Sequence, residues 1–174
     1  PDRARAFAAR HGIPRVASGY DQLVTDPDVD IVYVAAPHTE HVRLGMLAIE
    51  AGKHVLIEKP IGVNAAEART LAAAARAAGV FAMEAMWTRF LPQIDVLLQL
   101  VRAGDLGEIL TLTADFGDLF PPDPDGRAYN PALGGGALLD VGVYPVSFAH
   151  AVLGEPSRVT ATGSLTATGV DAQA

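Results

Sequence analysis

The stretch that decides the fold runs from residue 29 to residue 60: VDIVYVA at 29–35, APHTEHVRLGMLAIEAG at 36–52, HVLI at 54–57, then Glu58-Lys59-Pro60. The first and third pieces are short apolar runs rich in β-branched residues, as a strand buried in a parallel sheet requires. The piece between them carries apolar residues at helical spacing over 40–51 and stops at Gly52. Downstream, Asn64 followed by Glu67 is a capping-box variant that opens an alanine-rich helix over 64–78, closed by Gly79. A third short strand follows at 80–83. Upstream, residues 2–11 read as a helix stopped by Gly12 and Pro14, and Asp26-Pro27-Asp28 breaks a further short helix. Strands alternating with helices of this length make βαβ units with right-handed crossovers. Residues 1–85 are therefore expected to be part of a doubly wound α/β domain with a parallel sheet.

After Glu84 the pattern changes, and a second unit is expected over 86–174. A helix reads over 90–103, then a Gly104-Asp105-Leu106-Gly107 turn, an alternating strand over 108–116, a last helix over 137–153 and an alternating strand over 158–168. Residues 120–136 are rich in Pro, Gly and Asp and read as a long surface loop, a common place for function. This second half looks like the start of an α+β domain.

Composition narrows the function. The net charge of −7 over 174 residues offers no attraction to nucleic acid or an anionic membrane, so a small-molecule substrate is the better expectation. The absence of cysteine excludes disulfides, thiolate nucleophiles and Cys-ligated metal from this sequence. No apolar run is expected to reach the length of a membrane span, and no signal pattern opens the sequence. A soluble, cytoplasmic protein is the resulting expectation.

Two segments stand where chemistry would need them. Glu58-Lys59-Pro60 lies at the carboxyl end of a buried strand, where open α/β sheets bind ligands, and Pro60 restricts the shape of the turn. On its own it also reads as a solvated strand-to-helix turn. In Gly134-Gly135-Gly136-Ala137-Leu138-Leu139-Asp140-Val141-Gly142-Val143-Tyr144, Asp140 and Tyr144 are four apart and share a helix face. A neighbouring ammonium favours the anionic form of a phenol, so Lys59 beside Tyr144 would help it exchange a proton with a hydroxyl or carbonyl. Read alone, Tyr144 is also compatible with an amphipathic side chain at a domain seam. His38 and His41, three apart, lack a third metal ligand at recognisable spacing and read as a polar pair at a helix start. No metal site is expected.

Taken together, VYVAAPHTEHVRLGMLAIEAGKHVLIEKP (32–60), MEAMWTRFLP (83–92) and GGGALLDVGVYP (134–145) resemble the Gfo/Idh/MocA family of oxidoreductases, in particular its dihydrodiol and xylose dehydrogenase branch. The resemblance implies a Rossmann domain followed by a substrate and dimerisation domain, with NAD or NADP as cofactor. It implies hydride transfer between the nicotinamide and the CH–OH group of a sugar, polyol or dihydrodiol. Lys59, Tyr144 and Asp140 fall on catalytic positions, with Tyr144 as acid/base and Asp140 binding a neighbouring substrate hydroxyl. Pro37, His38, His41, Glu58, Lys59, Pro60, Trp87 and Arg89 fall on the cofactor side. A homo-oligomer is expected of the full-length protein. The family's G-x-G-x-x-G turn is not found in these 174 residues, so the first βαβ unit is expected to lie outside them, in a parent of about twice this length. The rival expectation is a non-catalytic remnant, or a sugar-binding or scaffold domain of the same fold.

Overall fold

The computed structural model describes residues 2–174. Helices α1 (Asp2–His11) and α2 (Tyr20–Thr25) precede a three-stranded parallel sheet of β1 (Ile31–Val34), β2 (His54–Glu58) and β3 (Ala82–Ala85), in that spatial order. Helix α3 (His41–Glu50) joins β1 to β2, and α4 (Ala65–Ala78) joins β2 to β3. The Rossmann-type α/β arrangement expected of this half is present. Valines and isoleucines set the register, with Val32 opposite Val55 and Val34 opposite Ile57. Their side chains enter one core with Leu44, Ala48 and Ile49 of α3 and Leu71 and Ala75 of α4. Full burial of Ile57 and Leu71 contributes about 1.5–3 kcal/mol each. The close approach of α3 depends on Gly45, where a Cβ would meet Ile57 Cδ1 at 2.7 Å and Leu71 Cδ1 at 2.8 Å.

The α4 cap forms as its sequence requires. Asn64 accepts the Glu67 N–H at 3.0 Å and donates its own amide to Glu67 Oε1 at 3.0 Å, while Glu67 Oε2 accepts the Val63 N–H at 2.9 Å. Gly79, at φ 69°, closes the helix in the left-handed conformation that only glycine adopts cheaply. Strand β3 lies two residues later than the 80–83 expected, which places Glu84 within the sheet.

The second half departs further from its reading. Helix α5 (Pro92–Ala103) follows a 3₁₀ turn at Trp87–Phe90, and α6 (Val143–Leu153) follows a π-helical turn at Leu138–Gly142. The strand expected over 108–116 is absent: that segment is irregular, and Leu110 is 82% exposed. Alternation reports a two-faced chain, but a strand also needs a neighbour to complete its ladder, and none of the described residues pairs with this one. The strand expected over 158–168 shrinks for the same reason to β4 (Ser164–Leu165), paired antiparallel with β5 (Asp171–Gln173). One composition reading also needs correction, because Pro131–Leu153 is long and apolar enough to cross a membrane by length and composition. Its course is broken by the 3₁₀ turn at Pro131–Leu133 and the π turn, and it carries Asp140 in two ion pairs. It serves as a wall of the candidate site.

Candidate active site

Strand β2 delivers Glu58 to the carboxyl edge of the sheet, and the chain turns at Lys59–Pro60, a cis peptide bond. Two side chains hold this turn. His41 is fully buried at the start of α3, with Nδ1 2.7 Å from Pro60 O and Nε2 2.9 Å from Ala36 O. Its imidazole therefore ties the end of β1 to the turn after β2. From β3, Glu84 Oε1 accepts the Ile61 N–H at 2.8 Å. Lys59 leaves a fixed base as a result.

Its ammonium crosses to the second half of the chain. Lys59 Nζ donates to Asp140 Oδ1 at 2.9 Å and also to the Asp140 main-chain oxygen. Arg127 Nη1 donates to the other carboxylate oxygen, Oδ2, at 2.8 Å. The side chains of Lys59 and Asp140 are only 12% and 7% exposed, whereas that of Arg127 is 60% exposed. Burial alone would raise the Asp140 carboxyl, but the hydrogen bonds and charges of Arg127 and Lys59 outweigh it and hold the group below the ordinary carboxylate range. A buried carboxylate between two cations is satisfied as such a group must be. Each carboxylate oxygen of Asp140 thus accepts from one cation, Oδ1 from Lys59 and Oδ2 from Arg127, and each keeps a further lone pair.

Tyr144 lies one turn beyond Asp140. Lys59 Nζ stands 5.0 Å from the centroid of its ring, so the cation meets the aromatic face and not the hydroxyl. The hydroxyl oxygen accepts the Trp87 indole N–H at 3.0 Å, and the Trp87 and Phe116 rings pack against the phenol at centroid distances of 5.8 and 5.0 Å.

A cavity of about 420 Å³ opens at the carboxyl ends of β1 and β2, lined by Pro37, His38, His41, Glu58, Lys59, Arg127 and Asp140, among others. His38 reaches across to the second half, with Nδ1 2.9 Å from Gly134 O, and Thr39 donates to Ala132 O at 3.1 Å. Burial pushes the His38 imidazole below its ordinary value, against the opposing pull of the Gly134 carbonyl. Of the expected cofactor-side residues, Pro37, His38, Glu58 and Lys59 share this cavity. His41 lines it as a strut whose nitrogens face backbone oxygens, and Pro60 supplies one of those oxygens. Trp87 sits against Tyr144, and Arg89 points away to Ser147 Oγ at 3.3 Å in a groove between α5 and α6. Among the described residues no three His, Asp or Glu side chains converge as metal ligands would.

Sequence reasoning did not single out Arg127, Glu84, Phe116 or Asp171, whose Oδ2 accepts the Leu138 N–H at 2.6 Å at the head of the site helix. Arg127 does lie in the Pro-, Gly- and Asp-rich loop marked as a place for function. The other three carry no local signal, because each acts on a partner more than 20 positions away.

Comparison with known proteins agrees with this geometry. Residues 1–86 match the model of an oxidoreductase family with an NAD-binding Rossmann fold, and residues 94–174 match the GFO/IDH/MocA C-terminal domain. The chain is 43% identical over 171 residues to trans-1,2-dihydrobenzene-1,2-diol dehydrogenase of Oryctolagus cuniculus, covering 97% of this chain and 51% of that protein. Its counterpart from Homo sapiens is also 43% identical, with the same coverage. The chain thus spans about half the length of these relatives. Among solved structures, a 3-ketoreductase from Actinomadura kijaniata in complex with NADP and TDP-benzene superposes with a TM-score of 0.76 at 40% identity, over 88% of this chain and 46% of that one. A levoglucosan dehydrogenase bound to NADH and levoglucosan gives 0.77 at 27% identity, over 89% and 43%. With a Rossmann-type sheet, a lysine at the end of β2 paired to an aspartate in the second half, and both family models matched in order, the chain belongs to the Gfo/Idh/MocA family of oxidoreductases.

Proposed function

We propose that this chain is the catalytic part of an NAD(P)-dependent dehydrogenase acting on the CH–OH group of a sugar, polyol or dihydrodiol. The observation that carries the reading is the Lys59–Asp140 ion pair at 2.9 Å, which joins positions 81 apart beside the cavity at the sheet's carboxyl edge and under the ring of Tyr144. The cavity's mixed lining fits a nicotinamide: Ala35, Ala36 and Pro37 offer apolar surface for the ring, while His38, Glu58 and Lys59 offer polar groups for its amide. Those residues would hold it, and when bound the ring supplies or accepts the hydride.

The chain's own residues do the rest. In the reducing direction Tyr144 gives its hydroxyl proton to the substrate carbonyl oxygen, and oxidation reverses the transfer. Trp87 fixes the phenol oxygen by donating to it. Lys59 orients the substrate oxygen with its one remaining N–H donor, and Asp140 acts through Lys59 by holding its ammonium in place. The names of the relatives support a diol or sugar substrate, and the neighbours solved with NADH and NADP support the cofactor class.

The test is nicotinamide reduction by the full-length protein with NAD and NADP and a panel of diols and sugars. Wild type is expected to turn over at least one of them, K59M to lose turnover altogether, and Y144F to lose about 100-fold or more in kcat. No reduction with any of the panel, or a Y144F variant as active as wild type, would sink the assignment.

A further inference from the structure

Asp140 divides its carboxylate between two cations that come from different places. Lys59 approaches from the sheet, and Arg127 from the loop over 120–136. That loop is built to hold its arginine. The Gly135 N–H donates to Asn130 O at 3.0 Å, the Gly136 N–H to Ala128 O at 3.0 Å, and the Tyr129 hydroxyl to Phe120 O at 3.0 Å. The Phe120 ring faces the Arg127 guanidinium at 5.6 Å. Gly135 lets the loop close this tightly, because a Cβ there would lie 2.8 Å from Ala128 O and 3.0 Å from Arg127 O. A surface arginine paired by chance has no such scaffold. Its weight is also unlike that of an ordinary surface pair, since its partner is 7% exposed while Arg127 itself is open to solvent.

Resting on the function proposed above, we propose that Arg127 is a positioning residue: it clamps Asp140 Oδ2 so that Oδ1 stays turned toward the Lys59 ammonium. Without the clamp the carboxylate is free to rotate away from Lys59, and the lysine loses the fixed direction that its contact with substrate needs. A misplacement on the scale of an ångström at a reacting centre costs on the order of 100-fold in rate.

The experiment uses R127A and R127K in the full-length protein. The first readout needs neither cofactor nor turnover: the pH titration of the Asp140 side-chain carboxyl by carbon-detected NMR, with the resonance assigned from D140N. The midpoint is expected to rise in R127A and to return toward wild type in R127K or when guanidinium ion is added to R127A, whose vacated site is open to solvent. The second readout is steady-state kinetics, where R127A is expected to lose about 10- to 100-fold in kcat with the KM for cofactor little changed. R127K, keeping charge without the planar fork, should recover the titration more fully than the kcat. An Asp140 midpoint unmoved in R127A, or a wild-type kcat in R127A, overturns the proposal. If R127A does not fold, R127K decides by the same split, and equal recovery of both readouts overturns the positioning role. A wild-type protein with no turnover would sink the proposed function while the titration still tests the clamp.

Discussion

Replacing Lys59 by Met removes the ammonium while keeping an apolar side chain of similar length, and from sequence alone such a change would be expected to cost little stability. The structure predicts a definite cost. Lys59 is 12% exposed and serves a carboxylate that is 7% exposed, and stripping one partner from a buried pair costs about 3–5 kcal/mol when the survivor is left uncompensated. Here the survivor is partly compensated, because Arg127 remains 2.8 Å from Asp140 Oδ2. The methylene stem is also retained. Loss of the contact with the Tyr144 ring adds about 0.5–1 kcal/mol. A net cost of about 2 kcal/mol follows, which for a chain of this size is a fall in Tm of about 4–8 °C. Thermal denaturation of wild type, K59M, D140N and the double variant measures it, and the cycle isolates the coupling between the two residues. A coupling near zero would mean that the pair does not persist in solution. A K59M cost above about 4 kcal/mol would mean that Arg127 does not share the carboxylate.

Two other outcomes follow from the same geometry. G45V drives two methyl groups toward Ile57 and Leu71, whose Cδ1 atoms already stand 2.7 and 2.8 Å from a built Cβ; overpacking should outweigh the gain in helix propensity of up to about 1 kcal/mol and leave a loss of about 2 kcal/mol in urea denaturation. A variant as stable as wild type would show that α3 does not pack this closely. Because Asp140 titrates below the ordinary carboxylate value when folded, its ionic contribution is present above about pH 4 and lost as pH falls through the lower folded value. The stability gap between wild type and D140N should therefore hold from neutral pH down to mild acid and narrow below it, and a gap that widens in acid would refute the assignment.

The readable parts of the sequence were those whose physics is local. The runs VDIVYVA and HVLI announced β1 and β2, and the Asn64–Glu67 pair and Gly79 announced both ends of α4, because caps and apolar runs act within a few residues. Lys59, Asp140 and Tyr144 were legible through a family resemblance, and the structure brings all three into contact. Arg127 was not, since a loop has no period against which one arginine stands out. The strand expected over 108–116 failed for the complementary reason: alternation describes what one segment offers, while pairing depends on a neighbour that its own residues do not specify. The π turn under Asp140 was equally hidden, as its residues, Leu138–Gly142, read as ordinary helix.

The reach of the Lys59–Asp140 bond also sets a timetable for synthesis. At about 5–20 residues per second, the ribosome adds the 81 positions between them in about 4–16 s. For most of that interval β1, β2, α3 and α4, which together supply the core, are complete as sequence, but the anion that will meet the lysine has not been made. The first half must therefore tolerate a hydrated, unpaired Lys59 while it folds, and the nascent chain closes this pair only when the later segment docks.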